Sequence, residues 1–128
     1  MWNIVVIGFA GLAGTLARYA LSGTVDARFG PAFPVGTLVV NLVGSFVIGF
    51  LFFGFANQFA ANPTLRSGVF VGLLGGFTTF SSFAIQTFTL WQEGRALWAV
   101  GYVLLSNGGG LAGVALGYLS ARALQLVA

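Results

Sequence analysis

The sequence predicts an all-α membrane protein with four transmembrane helices, and three observations support this fold class. The chain of 128 residues is 58% hydrophobic with a mean hydropathy of +0.98, unlike a soluble globular domain. It contains five arginines, two acids, and neither lysine nor histidine. Four mainly apolar stretches, each long enough to cross a bilayer, follow one another within a single domain over residues 1–128. They run over residues 2–21, 35–55, 65–90 and 96–119.

The first span has no basic segment before it, so it is interpreted as a retained helix and not as a signal peptide.

The links between these spans are expected to be loops. The segment SGTVDARFGPAFP at 22–34 contains prolines, glycines and charges, which favour a loop. NQFAANPT at 57–64 separates spans two and three in the same way. QEGR at 92–95 is so short that spans three and four should be antiparallel neighbours.

Glycines recur at helical spacing in three of the spans. Small-residue faces let helix backbones approach closely, which favours association within lipid. The sequence therefore predicts a compact bundle, although this pattern does not indicate a function. The three sets are Gly8, Gly11 and Gly14 in span one, Gly68, Gly72 and Gly76 in span three, and Gly109, Gly113 and Gly117 in span four.

Arginine positions give only a weak preference for one membrane orientation. Arg66 and Arg122 fall on one side of four spans, whereas Arg28 and Arg95 fall on the other, where Arg18 also lies near the end of span one. Because loop arginines set orientation, this balance predicts insertion in both orientations and an antiparallel homodimer in the lipid bilayer. The alternative is that Arg28 or Arg18 fixes a single orientation.

The residue types that most catalytic sites need are missing. Cysteine and histidine are absent, which removes thiolate and imidazole chemistry. The two acids, Asp26 and Glu93, are expected in connecting loops. The scattered arginines form no run that would bind nucleic acid. The sequence therefore predicts neither an enzyme nor a nucleic-acid-binding protein.

The segment GLLGGFTTFSSF at 72–83 places a glycine pair and four hydroxyls inside an apolar span. Helices are interrupted at membrane depth only where the freed peptide groups face protein, an ion or a wet cavity. The pattern therefore predicts a broken third helix around residues 75–78, with carbonyl oxygens that suit Na⁺. The alternative is a glycine packing notch with threonine hydroxyls bonded back to the helix.

Phe80 and Phe83 are three residues apart and should project from one face beyond the break. Edges of aromatic rings are positive and suit an anion, whereas ring faces suit a cation. The alternative is that both rings face lipid or the core. The neighbouring hydroxyls of Thr79 and Ser81 favour a role at an ion pathway.

Further donors lie in the other spans. Asn41 interrupts span two, where its amide either meets an anion or forms an interhelical hydrogen bond. Tyr102 and Ser106 are four residues apart in span four. Arg18 either attracts anions at a vestibule or extends to the lipid headgroups.

Three motifs together resemble the Fluc (CrcB-type) family of bacterial fluoride channels. They are GLAGTLARY at 11–19, GTLVVN at 36–41 and GGFTTFSSF at 75–83. Their order and spacing are specific, and the resemblance covers all four spans. It implies a dual-topology homodimer in the bacterial inner membrane, with two antiparallel fluoride pores and one central, structural Na⁺.

The resemblance also implies a role for each matching residue. Gly75 and Thr78 would supply backbone carbonyls to Na⁺, and Phe80 and Phe83 would supply ring edges to fluoride. Two positions depart from the family pattern, because Ser82 stands where threonine is usual and Gly110 where a hydroxyl is expected. The remaining pathway residues are Asn41 as a pore-lining donor, Tyr102 and Ser106 as a polar track, and Arg18 as the arginine of the first helix.

The expected function is passive export of fluoride, which would confer fluoride resistance. A selective pore must replace the ion's water with several weak donors, without a fixed charge that traps the ion. An inside-negative potential favours anion exit by ~2.3 kcal/mol per 100 mV. One alternative is a small proton-coupled exporter of dual topology, which needs a carboxylate inside span one. The other is a membrane anchor subunit without catalytic activity, which gives no reason for a broken span.

Overall fold

The computed structural model describes residues 1–124 and residue 126. Within this part all regular structure is helical, and four helical stretches are long and apolar enough to cross a membrane. The predicted all-α fold with four spans is therefore confirmed. The elements in chain order are α1 (Trp2–Phe29), α2 (Val35–Gly54), α3 (Ala56–Ala61), α4 (Pro63–Ser67), a π-helical segment (Gly68–Leu74), α5 (Gly75–Phe77), α6 (Phe80–Gln92) and α7 (Ala96–Ala123).

Helix α1 is longer than the sequence predicts, because residues 22–29 continue the helix and do not form a loop. The hydroxyls of Ser22 and Thr24 donate to the carbonyl oxygens of Arg18 and Ala20 at 2.8 and 2.7 Å. Hydroxyls that bond back in this way leave the helix intact. The helix ends only at Gly30, whose φ of 77° is a left-handed conformation that glycine adopts readily.

Asp26 consequently lies in the last turn of α1, and its predicted position in a loop is wrong. The backbone N–H of Gly36 donates to its Oδ1 at 2.8 Å, which satisfies one of the free N–H groups at the start of α2. A Cβ at Gly36 would lie 2.6 Å from both carboxylate oxygens. The end of α1 and the start of α2 are therefore held together directly.

Most glycines of the three predicted faces pack against neighbouring helices as expected, although a Cβ at Gly8 would meet no atom within 4 Å. Gly72 and Gly76 face α1, where an added Cβ would lie 2.8 Å from the Ile7 carbonyl oxygen and 2.6 Å from that of Gly11. Gly117 of α7 lies against α2, where a Cβ would come within 2.6 Å of the Phe50 nitrogen. These approaches place α1 beside the third span and α7 beside α2.

Helices α6 and α7 pack against each other in antiparallel fashion, as the short link at 92–95 predicts. Their shared core contains Phe83, Leu90, Ala99 and Tyr102. Leu90 and Ala99 lie close to the link in sequence, and Phe83 and Tyr102 lie farther from it. This core fixes the position of Tyr102, which is completely buried.

The third span, Pro63–Gln92, consists of several helical pieces. Its π-helical segment ends at Leu74, and α5 follows for only three residues. Thr78 and Thr79 have extended backbones, with ψ of 158° and 115°, before α6 begins at Phe80. The Thr78 N–H still donates to the Leu74 carbonyl oxygen at 3.0 Å, as in a helix, whereas the Thr79 N–H donates to a side chain of α2 at 2.8 Å.

Candidate functional site

Asn41 of α2 pairs with the peptide groups of Thr79. Its Nδ2 donates to the Thr79 carbonyl oxygen at 3.0 Å, and the Thr79 N–H donates to its Oδ1 at 2.8 Å. A single amide therefore satisfies both backbone groups of Thr79, which would be costly to leave unpaired in an apolar interior. Of the two roles considered for Asn41, this geometry provides the interhelical hydrogen bond.

Arg18 reaches from α1 to the same region. Its Nε donates to the carbonyl oxygen of Gly76 at 3.1 Å, so the side chain is bonded to protein and does not extend freely to the headgroups. Its Nη atoms make no hydrogen bond within the described residues. They therefore remain available as charged donors.

The hydroxyl of Thr78 bonds to the helical segment before the two threonines, and the hydroxyl of Thr79 bonds to the helix that follows them. Thr78 Oγ1 donates to the Leu74 carbonyl oxygen at 2.9 Å, which is the back-bonded arrangement considered above. Thr79 Oγ1 accepts from the Ser82 N–H at 3.3 Å and so caps the N-terminus of α6. It also donates to Ser82 Oγ at 3.0 Å.

The carbonyl oxygens of Gly75, Phe77 and Thr78 accept no hydrogen bond from the residues that the structure describes. Gly75 and Thr78 line the same cavity of about 340 Å³, here called the break cavity. Free carbonyl oxygens at a cavity are the donor type that hard cations accept. The predicted pair of cation ligands therefore fits the donor chemistry of this cavity.

A second cavity of about 220 Å³, here called the polar cavity, lies between α1, α2 and α6. Most of its lining side chains carry a hydroxyl, an amide or a charge. Sequence reasoning had selected only Arg18 and Thr79 as pathway residues among them. The lining consists of Arg18, Ser22, Asp26, Thr37, Val40, Thr79, Ser82 and Gln86.

Gln86 connects three helices through the polar cavity, and sequence reasoning missed it. Its Nε2 donates to Thr37 Oγ1 at 3.0 Å, and its Oε1 accepts from the Tyr102 hydroxyl at 2.9 Å. Gln86 lies four residues after Ser82, and Thr37 lies four residues before Asn41. That spacing placed both side chains on the polar faces of their helices and would have identified them.

Phe80 and Phe83 are adjacent, with ring centroids 5.6 Å apart and an interplanar angle of 52°. Their environments differ in the single chain, because Phe80 is 77% exposed and Phe83 is 8% exposed. Phe83 also meets the Tyr102 ring at 5.1 Å in a T-shaped arrangement. The buried tyrosine therefore supports one ring of the predicted pair.

Ser106 lies one turn beyond Tyr102 on α7, and its Oγ is buried without a hydrogen-bond partner among the described residues. The Nδ2 of the neighbouring Asn107 donates to the Val103 carbonyl oxygen at 2.8 Å, which occupies one of its two amide hydrogens. Gly110, where a hydroxyl was expected, faces Ser45 of α2: a Cβ there would lie 3.4 Å from Ser45 Oγ. A hydroxyl is therefore present near this point, but it comes from α2.

Two residues connect the cavities to one another. Thr79 lines both the polar cavity and the break cavity, and Phe80 lines both the break cavity and an apolar groove of about 570 Å³ between α6 and α7. Phe83 lines the groove, and Asn41 lines the break cavity. Tyr102, Ser106 and the exposed Ser81 line none of these three spaces.

The fold and these cavities define a class of protein, a small four-span membrane protein with polar side chains from several helices gathered in its interior. Residues 5–118 match the family model described as CrcB-like protein, Camphor Resistance (CrcB). The chain belongs to this family, and the resemblance drawn from the three motifs is confirmed.

Several bacterial relatives carry the name "Fluoride-specific ion channel FluC". The relative from Aquifex aeolicus (strain VF5) is 41% identical over 124 residues, which cover 97% of this chain and 100% of the relative. The relative from Citrifermentans bemidjiense is 44% identical with the same coverage of both chains. The relative from Roseiflexus sp. (strain RS-1) is 45% identical over 122 residues, or 95% of this chain and 98% of the relative.

Proposed function

We propose that this chain forms a fluoride-selective channel through which F⁻ leaves the cell passively, lowering cytoplasmic fluoride. The observation that carries the proposal is the similarity to relatives named as fluoride-specific ion channels, which spans 97% of the chain. A channel of this kind is not an enzyme. The bacterial relatives and the four apolar helices fit a multi-pass protein of the inner membrane.

The proposed pathway offers fluoride donors that are mostly neutral. Arg18 supplies the charged Nη groups at the polar cavity. Thr79 lines both this cavity and the break cavity, and in the break cavity the second amide hydrogen of Asn41 is available. Phe80 and Phe83 then present ring edges. Weak donors in series allow a dehydrated anion to move on, because no single site holds it strongly. Ser81, Tyr102 and Ser106 complete the set, and the unpartnered Ser106 hydroxyl is free to donate.

We also propose that Thr78 and Thr79 form a functional break in the third span and that Na⁺ binds there. The support is the free carbonyl oxygens of Gly75 and Thr78 at the break cavity. Carbonyl oxygens stabilise a cation by replacing part of its hydration shell, so no carboxylate is needed. Two oxygens from one chain are too few for a complete coordination shell, so a second copy would contribute the same pair.

An antiparallel homodimer would bring the two break cavities together. The exposed Phe80 and the exposed Gly75 lie at the rim of the break cavity in the single chain, where a second copy would cover them. The balance of arginines between the two sides supports opposite orientations of the two copies. Such a dimer would contain two pores and share one central Na⁺.

The decisive experiment measures efflux from liposomes that contain the purified protein. We expect rapid fluoride efflux with chloride retained. Equal fluoride and chloride rates would contradict selectivity, and efflux no faster than from protein-free liposomes would contradict the channel. In cells, a host that lacks its own fluoride exporter should regain growth on fluoride when it expresses this chain.

The same liposomes separate the channel from its alternatives. A proton-coupled exporter would give efflux that depends on an imposed pH gradient, whereas a passive channel responds only to the electrochemical gradient of fluoride. Asp26, the carboxylate that α1 contains, sits in the last turn and is bonded to the Gly36 N–H, a poor position for a proton carrier at the membrane centre. A membrane anchor subunit would give no efflux in either condition.

A further inference from the structure

We propose that Arg18 is a positioning residue for the cation site: it holds the Gly76 carbonyl against α1 and so leaves the Gly75 and Thr78 carbonyl oxygens directed to the break cavity. This inference rests on the proposed Na⁺ site and adds a residue from another helix to it.

The first step is the hydrogen bonding at the end of α5. Because this helix is followed by the extended Thr78 and Thr79, the carbonyl groups near its end lack backbone donors. Among the carbonyls of Gly75, Gly76 and Phe77, that of Gly76 has a partner among the described residues, which is Arg18 Nε at 3.1 Å. Charge-assisted hydrogen bonds are stronger than neutral ones, so this carbonyl is removed from the set that a cation could use.

The second step is the packing of the two glycines. A Cβ at Gly76 would lie 2.6 Å from the Gly11 carbonyl oxygen and 3.2 Å from Thr15 Oγ1, so Gly76 is pressed onto α1 on the same face as Arg18. A Cβ at Gly75 would have only the Phe70 carbonyl oxygen within 4 Å, at 3.6 Å. Gly75 and Thr78 line the break cavity, and Gly76 is not part of its lining.

The two possible effects of Arg18 on a cation have opposite signs. Through its charge alone, Arg18 repels Na⁺, so removing it would strengthen cation binding. Through its hydrogen bond, Arg18 fixes the peptide between the two ligand carbonyls, so removing it would weaken cation binding. The direction of the change in affinity therefore identifies which effect dominates.

The test compares the parent with Arg18→Met, Arg18→Lys and the control Arg28→Met. Arg28 is an exposed arginine on the same helix without a hydrogen bond within the described residues. Each protein is purified in high Na⁺ and transferred to N-methyl-D-glucamine. Na⁺ is then titrated while thermal unfolding is recorded in the absence of fluoride. Lysine keeps the charge but lacks the planar guanidinium whose Nε–H makes this hydrogen bond.

We expect the Na⁺ concentration that gives half of the stabilisation to rise about tenfold in both Arg18 variants, the size expected for one charge-assisted hydrogen bond. Arg28→Met should match the parent. A lower or unchanged Na⁺ requirement in either Arg18 variant would overturn the proposal. So would a Na⁺-dependent stabilisation that no Na⁺ concentration brings back, because a weakened site must recover by mass action.

The outcome is separable from that of the proposed channel. A parent protein that Na⁺ stabilises but that passes no fluoride would refute the channel while leaving the role of Arg18 testable by unfolding. A parent protein that does not respond to Na⁺ would refute the cation site and, with it, the role of Arg18.

Discussion

At the scale of single residues, the side-chain amide of Asn41 forms the pair of hydrogen bonds with Thr79 that a neighbouring strand's backbone would form in a β-sheet. It gives one donor and one acceptor to Thr79 and receives the matching pair in return. A side chain at this position must therefore both donate and accept. Among similar side chains, aspartate has the right size but cannot donate when ionised.

Asn41→Asp should lower both fluoride efflux and stability. The carboxylate would face the Thr79 carbonyl oxygen without a proton between them, and its charge would repel the anion. We expect a loss of stability of about 1–3 kcal/mol, measured by thermal unfolding, together with strongly reduced efflux from liposomes. Asn57→Asp, at an exposed position of α3, is the matched control. Parent-like efflux in Asn41→Asp would contradict a role for this amide.

Phe80→Ile should reduce fluoride efflux about tenfold, a loss of about 1.4 kcal/mol, while the core of each chain stays intact. Contacts to a ring edge in aromatic pairs are worth about 0.5–1.5 kcal/mol beyond apolar burial, and isoleucine offers no positive edge to an anion. Because Phe80 is 77% exposed in the single chain, its loss leaves no cavity in the core. Phe9→Ile is the control, since Phe9 is 72% exposed on α1. Equal efflux in the two variants would argue that Phe80 merely faces lipid or a partner.

Gln86→Leu should destabilise the chain more than any surface substitution. The change leaves the buried hydroxyls of Tyr102 and Thr37 without their partner, at about 1–3 kcal/mol for each unsatisfied group. Tyr102 would then be free to shift against Phe83, so efflux should fall as well. Gln92→Leu, at the exposed end of α6, provides the comparison. A Gln86→Leu protein with parent stability would show that the three-helix network contributes nothing to the fold.

At the scale of helices, close packing depends on particular glycines. Gly117→Ala would press a methyl group against the backbone of α2, where neither the Phe46 carbonyl nor the Phe50 nitrogen can move away easily. Overpacking of this kind costs about 1–3 kcal/mol. Gly101→Ala on the same helix meets no atom within 4 Å and should be neutral or slightly stabilising. Thermal unfolding of both variants checks the difference, and equal values would mean that α2 and α7 adjust freely.

The helices were predictable because apolar length alone defines a span. The end of α1 was not, because serine and threonine favour either a loop or a back-bonded helix, and the sequence does not say which of these Ser22 and Thr24 adopt. The choice followed from tertiary structure, where Asp26 meets the start of α2. Asp26, which was expected in a loop after α1, thus accepts a hydrogen bond from the start of α2.

The polar cavity shows a different limit of prediction. Polar residues at or beside it recur every four positions on separate helices, namely Arg18, Ser22 and Asp26 on α1, Thr37 followed by Asn41 of the break cavity on α2, and Ser82 with Gln86 on α6. The polar face of each helix can be predicted from the sequence. The meeting of these three faces at one cavity cannot, because it depends on how the three helices are rotated against one another. Motif comparison found Asn41 and Thr79 but passed over Gln86, which lies outside the quoted motifs.

At the scale of the whole molecule, the proposed dual topology can be changed by a few charges. Asn57→Lys with Gln58→Lys should drive that link to the cytoplasmic side, and Gln92→Lys with Glu93→Lys should favour the opposite orientation. Reporters at the C-terminus would record the orientation in each case. Either variant alone should fail to protect a host from fluoride, and co-expression of both should restore protection. Full protection by one oriented variant alone would contradict the antiparallel dimer.

The π-helical segment Gly68–Leu74 changes how many residues the third span holds in a given number of turns. Its hydrogen bonds join residues five apart, so each turn holds more residues than an α-helix does. If one residue were deleted and the others formed an ordinary α-helix, the larger rotation of about 100° per residue would largely offset the missing residue. Gly76 would then still face α1. This stretch should therefore tolerate the loss of one residue better than a side chain at Gly72, whose Cβ would lie 2.8 Å from the Ile7 carbonyl oxygen.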